Sequence, residues 1–181
     1  MRGYGEQIFR TEPAMTRTID FAIDSPVDVD RIHWAFSQED YWRARMKTFG
    51  GMGKLKSLDV DPDGSVAVTL FHDLHPEGLP KALAKFFPRN WQVVQEETWA
   101  PQADGSVRGE VGVVTHGAPG SGRGIALLTP ADPGARLSCT ATVDFKVPLV
   151  GGKIEGMIGR LMVPQFSVIL RYTAKWITQN S

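Results

Sequence analysis

Over Thr16–Asp24, TRTIDFAID, apolar and polar residues alternate: Ile19, Phe21 and Ile23 share one side of an extended chain, and Thr18, Asp20 and Ala22 share the other. A period of two marks a half-buried β-strand. The period then changes. Val29, Ile32, His33 and Phe36 recur at helical spacing behind Ser25 and Pro26, a capping hydroxyl and a ring that suits the first turn, with Asp28 at the positive end. Ser37, Glu39 and Asp40 repeat that start for a second helix. It carries Tyr41, Trp42, Arg45, Met46 and Phe49 and stops at Gly50 and Gly51.

KLKSLDVDPDGSVAVTLFHDL reads as strand, DPDG turn, strand. In HPEGLPKALAKFFPRN, Leu79, Leu83, Phe86 and Phe87 form one face of a short amphipathic helix between prolines. Four more strands follow, WQVVQEETW, SVRGEVGVVT, GRGIALLTP and ARLSCTATVDFKV, separated by PQADG, HGAPGSG and ADPG turns. In the last of these, Leu137, Cys139, Ala141, Val143, Phe145 and Val147 oppose Ser138, Thr140, Thr142, Asp144 and Lys146.

The chain closes with VPLVGGKIEGMIGRLMVPQFSVIL, extended to about Trp176. Ile154, Met157, Ile158, Leu161, Met162, Phe166, Ile169, Leu170 and Trp176 fall three and four apart, with Lys153, Glu155, Arg160, Arg171 and Lys175 on other faces. A membrane span requires about 20 predominantly apolar residues without such interruptions. The pattern predicts an amphipathic helix and no stable membrane insertion. Pro164 predicts a kink, because it removes a helical hydrogen bond and crowds the preceding turn. Gly152 and Gly156 are read as allowing the start of the helix to lie close on the sheet.

This order, a strand, two helices, six strands in sequential hairpins and one long helix, predicts an α+β fold. A meander of that length curls, and the last helix is the large apolar face left to cover its concave side. That is a helix-grip arrangement: a curved antiparallel sheet around a C-terminal helix. Residues 1–15 read as an N-terminal extension and 16–178 as one domain.

Composition adds exclusions. At 42% hydrophobic and 22% charged, the 181-residue chain is that of an ordinary globular protein. Its 20 basic residues balance 20 acidic ones, so no overall field draws it to nucleic acid or anionic lipid. The lone Cys139 makes no internal disulfide and no Cys/His cluster offers a zinc site, so no metal and no cofactor is expected. MRGYGEQIFRTEPAM contains no apolar run comparable to a signal peptide. A cytoplasmic location fits these features.

The order of elements, together with FAIDSPVDVDRIHWAF…EDYWRARMKTFGG, EETW, RGEVGV…GAPGSG and KVPLVGGKIEGMIG, resembles the START-like, or SRPBCC, superfamily of pollen-allergen-like proteins, polyketide cyclases and lipid-transfer domains. More closely it resembles an uncharacterised actinobacterial branch of that superfamily. The resemblance runs from Thr16 to about Ile177 and implies an elongated apolar cavity between sheet and helix. It supplies no catalytic motif, because the superfamily hosts binders, carriers and enzymes alike. The extension before Met15 and Pro164 depart from the family pattern.

With the apolar phase of each strand inward, Val66, Val68, Leu70, Val93, Val111 and Val113 line one part of such a cavity. Leu127, Cys139, Ala141, Val143 and Phe145 line another, facing Ile158, Leu161, Met162, Phe166 and Ile169 of the helix. A solid core is the alternative, since interiors normally pack to crystal-like density. His72, Gln95 and Glu97 share the inward parity and would orient a ligand, unless a bulge turns them to water. His72 and Glu97 also have the chemistry of a general acid/base pair, without an accompanying nucleophile. Arg45 reads as a solvated surface residue, with an acidic ligand group as its alternative partner. GAPGSGRG is glycine-rich but lacks the Lys-Ser/Thr ending of a phosphate loop, so it reads as a hairpin connection. Leu79, Leu83, Phe86 and Phe87 form a candidate gate.

These readings converge on binding or carriage of a hydrophobic small molecule, such as a lipid, fatty acid or polyketide-like compound. Two alternatives stay open: a cyclase- or hydrolase-type enzyme using the same cavity, and a protein-interaction module with a filled core.

Overall fold

The computed structural model describes residues 17–49, 53–74, 81–85, 91–117, 120–146 and 151–181. Among them, β1 (Arg17–Ser25), β2 (Lys54–Val60), β3 (Val66–Leu74), β4 (Trp91–Pro101), β5 (Val107–His116), β6 (Ser121–Pro130) and β7 (Ala135–Asp144) form one seven-stranded sheet in the order β1-β7-β6-β5-β4-β3-β2. Every neighbouring pair is antiparallel. Because β1 and β2 are the two edges, the helices between them, α1 (Val29–Phe36) and α2 (Glu39–Phe49), carry the chain from one edge to the other. A short helix α3 (Lys81–Ala84) lies between β3 and β4, and α4 (Gly151–Asn180) runs for 30 residues.

The hairpin turns follow their sequences. In both DGS turns an aspartate accepts from the serine two residues on, Ser65 N–H to Asp63 at 2.8 Å and Ser106 N–H to Asp104 at 3.0 Å. Gly134, at φ 82°, closes the β6–β7 turn against the end of β1, where a Cβ would sit 2.2 Å from the Ser25 carbonyl oxygen.

Two expected helix starts are corrected. Ser25 belongs to β1, paired with Ala135, and the N-cap of α1 is Asp28, whose carboxylate accepts from Arg31 N–H at 2.9 Å. Ser37 ends α1 instead of starting α2, its hydroxyl donating to the Trp34 carbonyl at 2.7 Å. In each case the hydroxyl reaches a nearer backbone group than the helix start assigned to it. The last helix continues past Trp176 and is helical through Pro164. Gly152 has nothing within 4 Å of a would-be Cβ, whereas one on Gly156 would stand 3.1 Å from the Arg17 guanidinium of β1, and further close approaches fall at Gly151 against Phe145 and at Gly159 against Ile19.

The sheet's inner face has two halves. Toward α1 and α2 it is solid: Trp42 and Tyr41 are fully buried, and the Phe36 ring stands 4.7 Å from Trp99 and 5.7 Å from Tyr41. Trp99 lies over Gly109, where a Cβ would fall 2.5 Å from the indole. Toward the other end the inward residues of β6 are Gly122, Gly124 and Ala126, opposite Val113, Val111 and Gly109 on β5 and Val143, Ala141 and Cys139 on β7. α4 is buried at its start, by Ile154, Glu155 and Gly156, and near its end, by Leu170, Thr173, Trp176 and Ile177. No residue from 157 to 169 is buried.

The Trp99–Gly109 contact leaves no room for a methyl group. Gly109→Ala is expected to lower stability by about 1–3 kcal/mol through overpacking. A fall in the urea midpoint at constant m-value would show it; an unchanged midpoint would mean that the indole shifts at no cost.

Candidate functional site

The missing side chains on β6 leave a cavity of about 360 Å³ between the sheet and α4. A Cβ on Gly124 would approach nothing closer than the Thr140 carbonyl at 3.6 Å, and one on Gly122 nothing closer than the Thr142 carbonyl at 3.5 Å. Val93, Val111, Val113, Cys139, Ala141 and Val143 form its sheet wall, and Ile158, Met162, Phe166 and Ile169 its helix wall. Phe21 on β1 stands 5.2 Å from Phe166 and ties the edge strand to the helix.

Its polar groups converge at the solid end. Glu97, 3% exposed, is met by Arg45, 9% exposed, at 3.3 Å. Gln95 Nε2 donates to Glu97 Oε1 at 2.6 Å, and Trp99 Nε1 donates to Glu97 Oε2 at 2.9 Å. The Arg45 guanidinium lies 4.8 Å from the Trp42 ring centroid. Thr173 donates to the Ile169 carbonyl at 2.9 Å, so Tyr41 is the donor in the 2.7 Å contact between the two hydroxyls. Burial raises the Tyr41 phenol above its ordinary value. Burial, with the Glu97 charge adding to it, pushes the Cys139 thiol up to about 11, which keeps it protonated in the cavity wall.

Of the residues expected to line the cavity, Val93, Gln95, Glu97, Val111, Val113, Ala141, Val143, Phe145, Ile158, Met162, Phe166 and Ile169 do so, as does Cys139. Leu70 is in the solid core at 1% exposure, with Val66 and Val68. Leu127 is corrected to the outer face: it pairs with Arg108 and Ser138, while Ala126 and Leu128 point inward. Leu161 is corrected to the solvent side of α4, at 52% exposure. His72 keeps the inward phase opposite Val93 but does not line the cavity, and its Nε2 has no partner among the described residues. No hydrogen bond joins it to Glu97 among those residues, whose partners there are Arg45, Gln95 and Trp99. Leu79, Phe86, Phe87 and the Leu83 side chain lie outside the described residues, and the gate with them.

Arg45 is the main correction, a buried partner of Glu97 and not a solvated residue. Its place among Tyr41, Trp42 and Met46 on the buried face of α2 was the available signal. Phe21, Phe36, Tyr41, Trp99, Leu137 and Thr173 also line the cavity and were not singled out. GAPGSGRG is the β5–β6 connection and the start of β6, with Gly120 N–H donating to Thr115 Oγ1 at 3.0 Å.

A seven-stranded antiparallel sheet, two short helices after the first strand and a long C-terminal helix define the helix-grip class of fold. TTHA0849 from Thermus thermophilus shares it at a TM-score of 0.56 and 14% identity, over 91% of this chain and 99% of that one. Norcoclaurine synthase from Thalictrum flavum, solved with dopamine and hydroxybenzaldehyde, shares it at a TM-score of 0.55 and 14% identity, over 100% of this chain and 97% of that one. Within that class, the chain belongs to the family described as Protein of unknown function (DUF2505), which matches residues 20–177. The uncharacterized protein Rv0481c of Mycobacterium tuberculosis is 30% identical over 173 residues, 92% of this chain and 99% of that one. This mycobacterial relative agrees with the expected actinobacterial branch. Among the described residues no helix is long and apolar enough to cross a membrane.

Two outcomes follow from the polar cluster. Glu97→Gln leaves the Arg45 charge buried without its counter-charge and is expected to cost about 3–5 kcal/mol. Replacing the pair together, Arg45→Met with Glu97→Leu, is expected to recover most of that loss in urea denaturation; an equally unstable double variant would deny that the charges depend on each other.

Burial, then the Arg45 charge, holds His72 below its ordinary 6.5, and burial does the same for His33. The unfolded chain therefore takes up these protons first, so the contribution to stability is complete above about pH 6.5 and is lost as pH falls below it. His72→Gln is expected to flatten the fall in urea midpoint from about pH 7.5 to about pH 5. A slope identical to wild type would contradict the depressed imidazole.

Proposed function

We propose that this protein binds a hydrophobic small molecule between the sheet and α4, as a carrier or sensor. The observation that carries the reading is the apolar hollow of about 360 Å³ over Gly122, Gly124 and Ala141. Interiors otherwise pack to crystal-like density, and an unfilled volume of this size forgoes contacts worth on the order of several kcal/mol. Small-molecule sites are concave, mostly apolar and carry a few convergent polar groups. The valine, isoleucine, methionine and phenylalanine walls supply the first two properties and the Arg45–Glu97–Gln95 cluster the third. Binding energy then comes mainly from burial, at about 25 cal/mol per Å² of apolar surface. The helix-grip fold typically binds hydrophobic ligands, which supports the same reading.

Carriage is favoured over turnover by the chemistry of the cluster. The Glu97 oxygens already accept from Arg45, Gln95 and Trp99, so the carboxylate is committed to holding the wall. The Cys139 thiol, pushed up to about 11, is a poor nucleophile.

Native mass spectrometry of the purified protein, followed by denaturation and extraction, is expected to release a hydrophobic compound at close to one per chain. Gly124→Leu places a side chain in the hollow, where the nearest atoms stand at ordinary contact distance. That variant is expected to keep wild-type circular dichroism and stability while losing the compound. A bare wild-type protein that binds no member of a lipid and polyketide panel would sink the proposal, as would a Gly124→Leu variant that still binds with full affinity.

A further inference from the structure

The charge state of the cavity's polar end narrows the ligand class, an inference that rests on the binding reading above. Arg45 and Glu97 line the cavity, are 9% and 3% exposed, and neutralise each other at 3.3 Å. The titratable groups facing them from neighbouring elements add no charge. Tyr41 on α2 and Cys139 on β7 are both pushed up by burial and stay protonated, and His72 on β3 is held below its ordinary value. Away from this end, the lining is mostly valine, alanine, Cys139 and Trp91 on the sheet and isoleucine, methionine and phenylalanine on α4, with Thr115, Ser121, Thr142, Arg123 and Asp144 among the remaining residues.

A carboxylate brought to this end would have to share the Arg45 guanidinium with Glu97. Two anions on one buried cation leave one negative charge without compensation, where burial makes that most costly. An uncharged group carries no such penalty. The guanidinium offers only N–H donors, five of them, and among the described residues the Glu97 carboxylate and the Tyr41 hydroxyl are the acceptors interacting with it. The complementary ligand atom is therefore an oxygen that accepts without being charged: a hydroxyl, ketone, aldehyde or ester carbonyl at the end of an apolar body.

We propose that the Arg45–Glu97 pair is a specificity element that selects uncharged, oxygen-bearing hydrophobic molecules and rejects carboxylates such as fatty acids. Glu97 acts here as the group that denies Arg45 to an anion.

The test compares ligands of one chain length. Decan-1-ol, 2-decanone and decanoic acid compete at pH 8 against a neutral fluorescent probe, N-phenyl-1-naphthylamine, on the full-length wild-type protein. The alcohol and the ketone are expected to bind at least roughly tenfold more tightly than the decanoate anion. Decanoate binding as tightly as the neutral pair, or more tightly, would overturn the specificity role while leaving the cavity reading intact. Failure of all three ligands and of the probe would overturn the cavity reading, and this one with it. Glu97→Gln, which frees the Arg45 charge, is expected to reverse the order in favour of decanoate. Should that variant not fold, the wild-type ratio alone decides.

Discussion

The Trp99 ring lying over Gly109 sets the plan of the interior. That contact is possible only because β5 presents a hydrogen atom where every other residue would present a carbon. The same indole stands 4.7 Å from Phe36 and donates to Glu97, so one side chain joins the aromatic half of the core to the polar end of the cavity. On one side of it Tyr41, Trp42 and Phe36 fill the space under α1 and α2. On the other, β6 presents Gly122, Gly124 and Ala126, which leave the space under α4 open. The boundary between solid and hollow follows from side-chain volume laid out by antiparallel register, with no irregularity needed in β5, β6 or β7.

The order of elements was legible in the sequence because each stretch has one clear period: two in β1 and β7, helical spacing in α1, α2 and α4. Where the period is blurred, so is the reading. Ile125, Ala126, Leu127 and Leu128 are four apolar residues in a row, and either parity satisfies them. The choice is made by Gly122 and Gly124, which only the pairing to β5 and β7 reveals as inward. A glycine carries no hydrophobic signal, so the residues that create the cavity are those a hydrophobic pattern cannot see.

Charge posed a different difficulty. Glu97 was placed inward by parity and Arg45 lies on the buried face of α2 beside Trp42, yet each alone reads as a surface residue. Burial of either becomes plausible only with the other, and they are 52 positions apart. The ends of α1 were missed for a local reason. Ser25 and Ser37 both have capping chemistry, but one is drawn into the β1–β7 ladder and the other closes the helix before it. A hydroxyl near a helix end does not say which end it serves.

The long C-terminal helix behaves as a beam resting on two supports. Ile154 and Glu155 fix one bearing and Leu170, Thr173, Trp176 and Ile177 the other, while residues 157–169 bridge the hollow without a buried side chain. Pro164 falls within that span and removes one of the hydrogen bonds that would stiffen it. A guest in the hollow would therefore touch a stretch of the beam that β1 holds from one side, where Phe21 meets Phe166 and Ile19 lies close on Gly159, so occupancy would add contacts on the side facing the hollow.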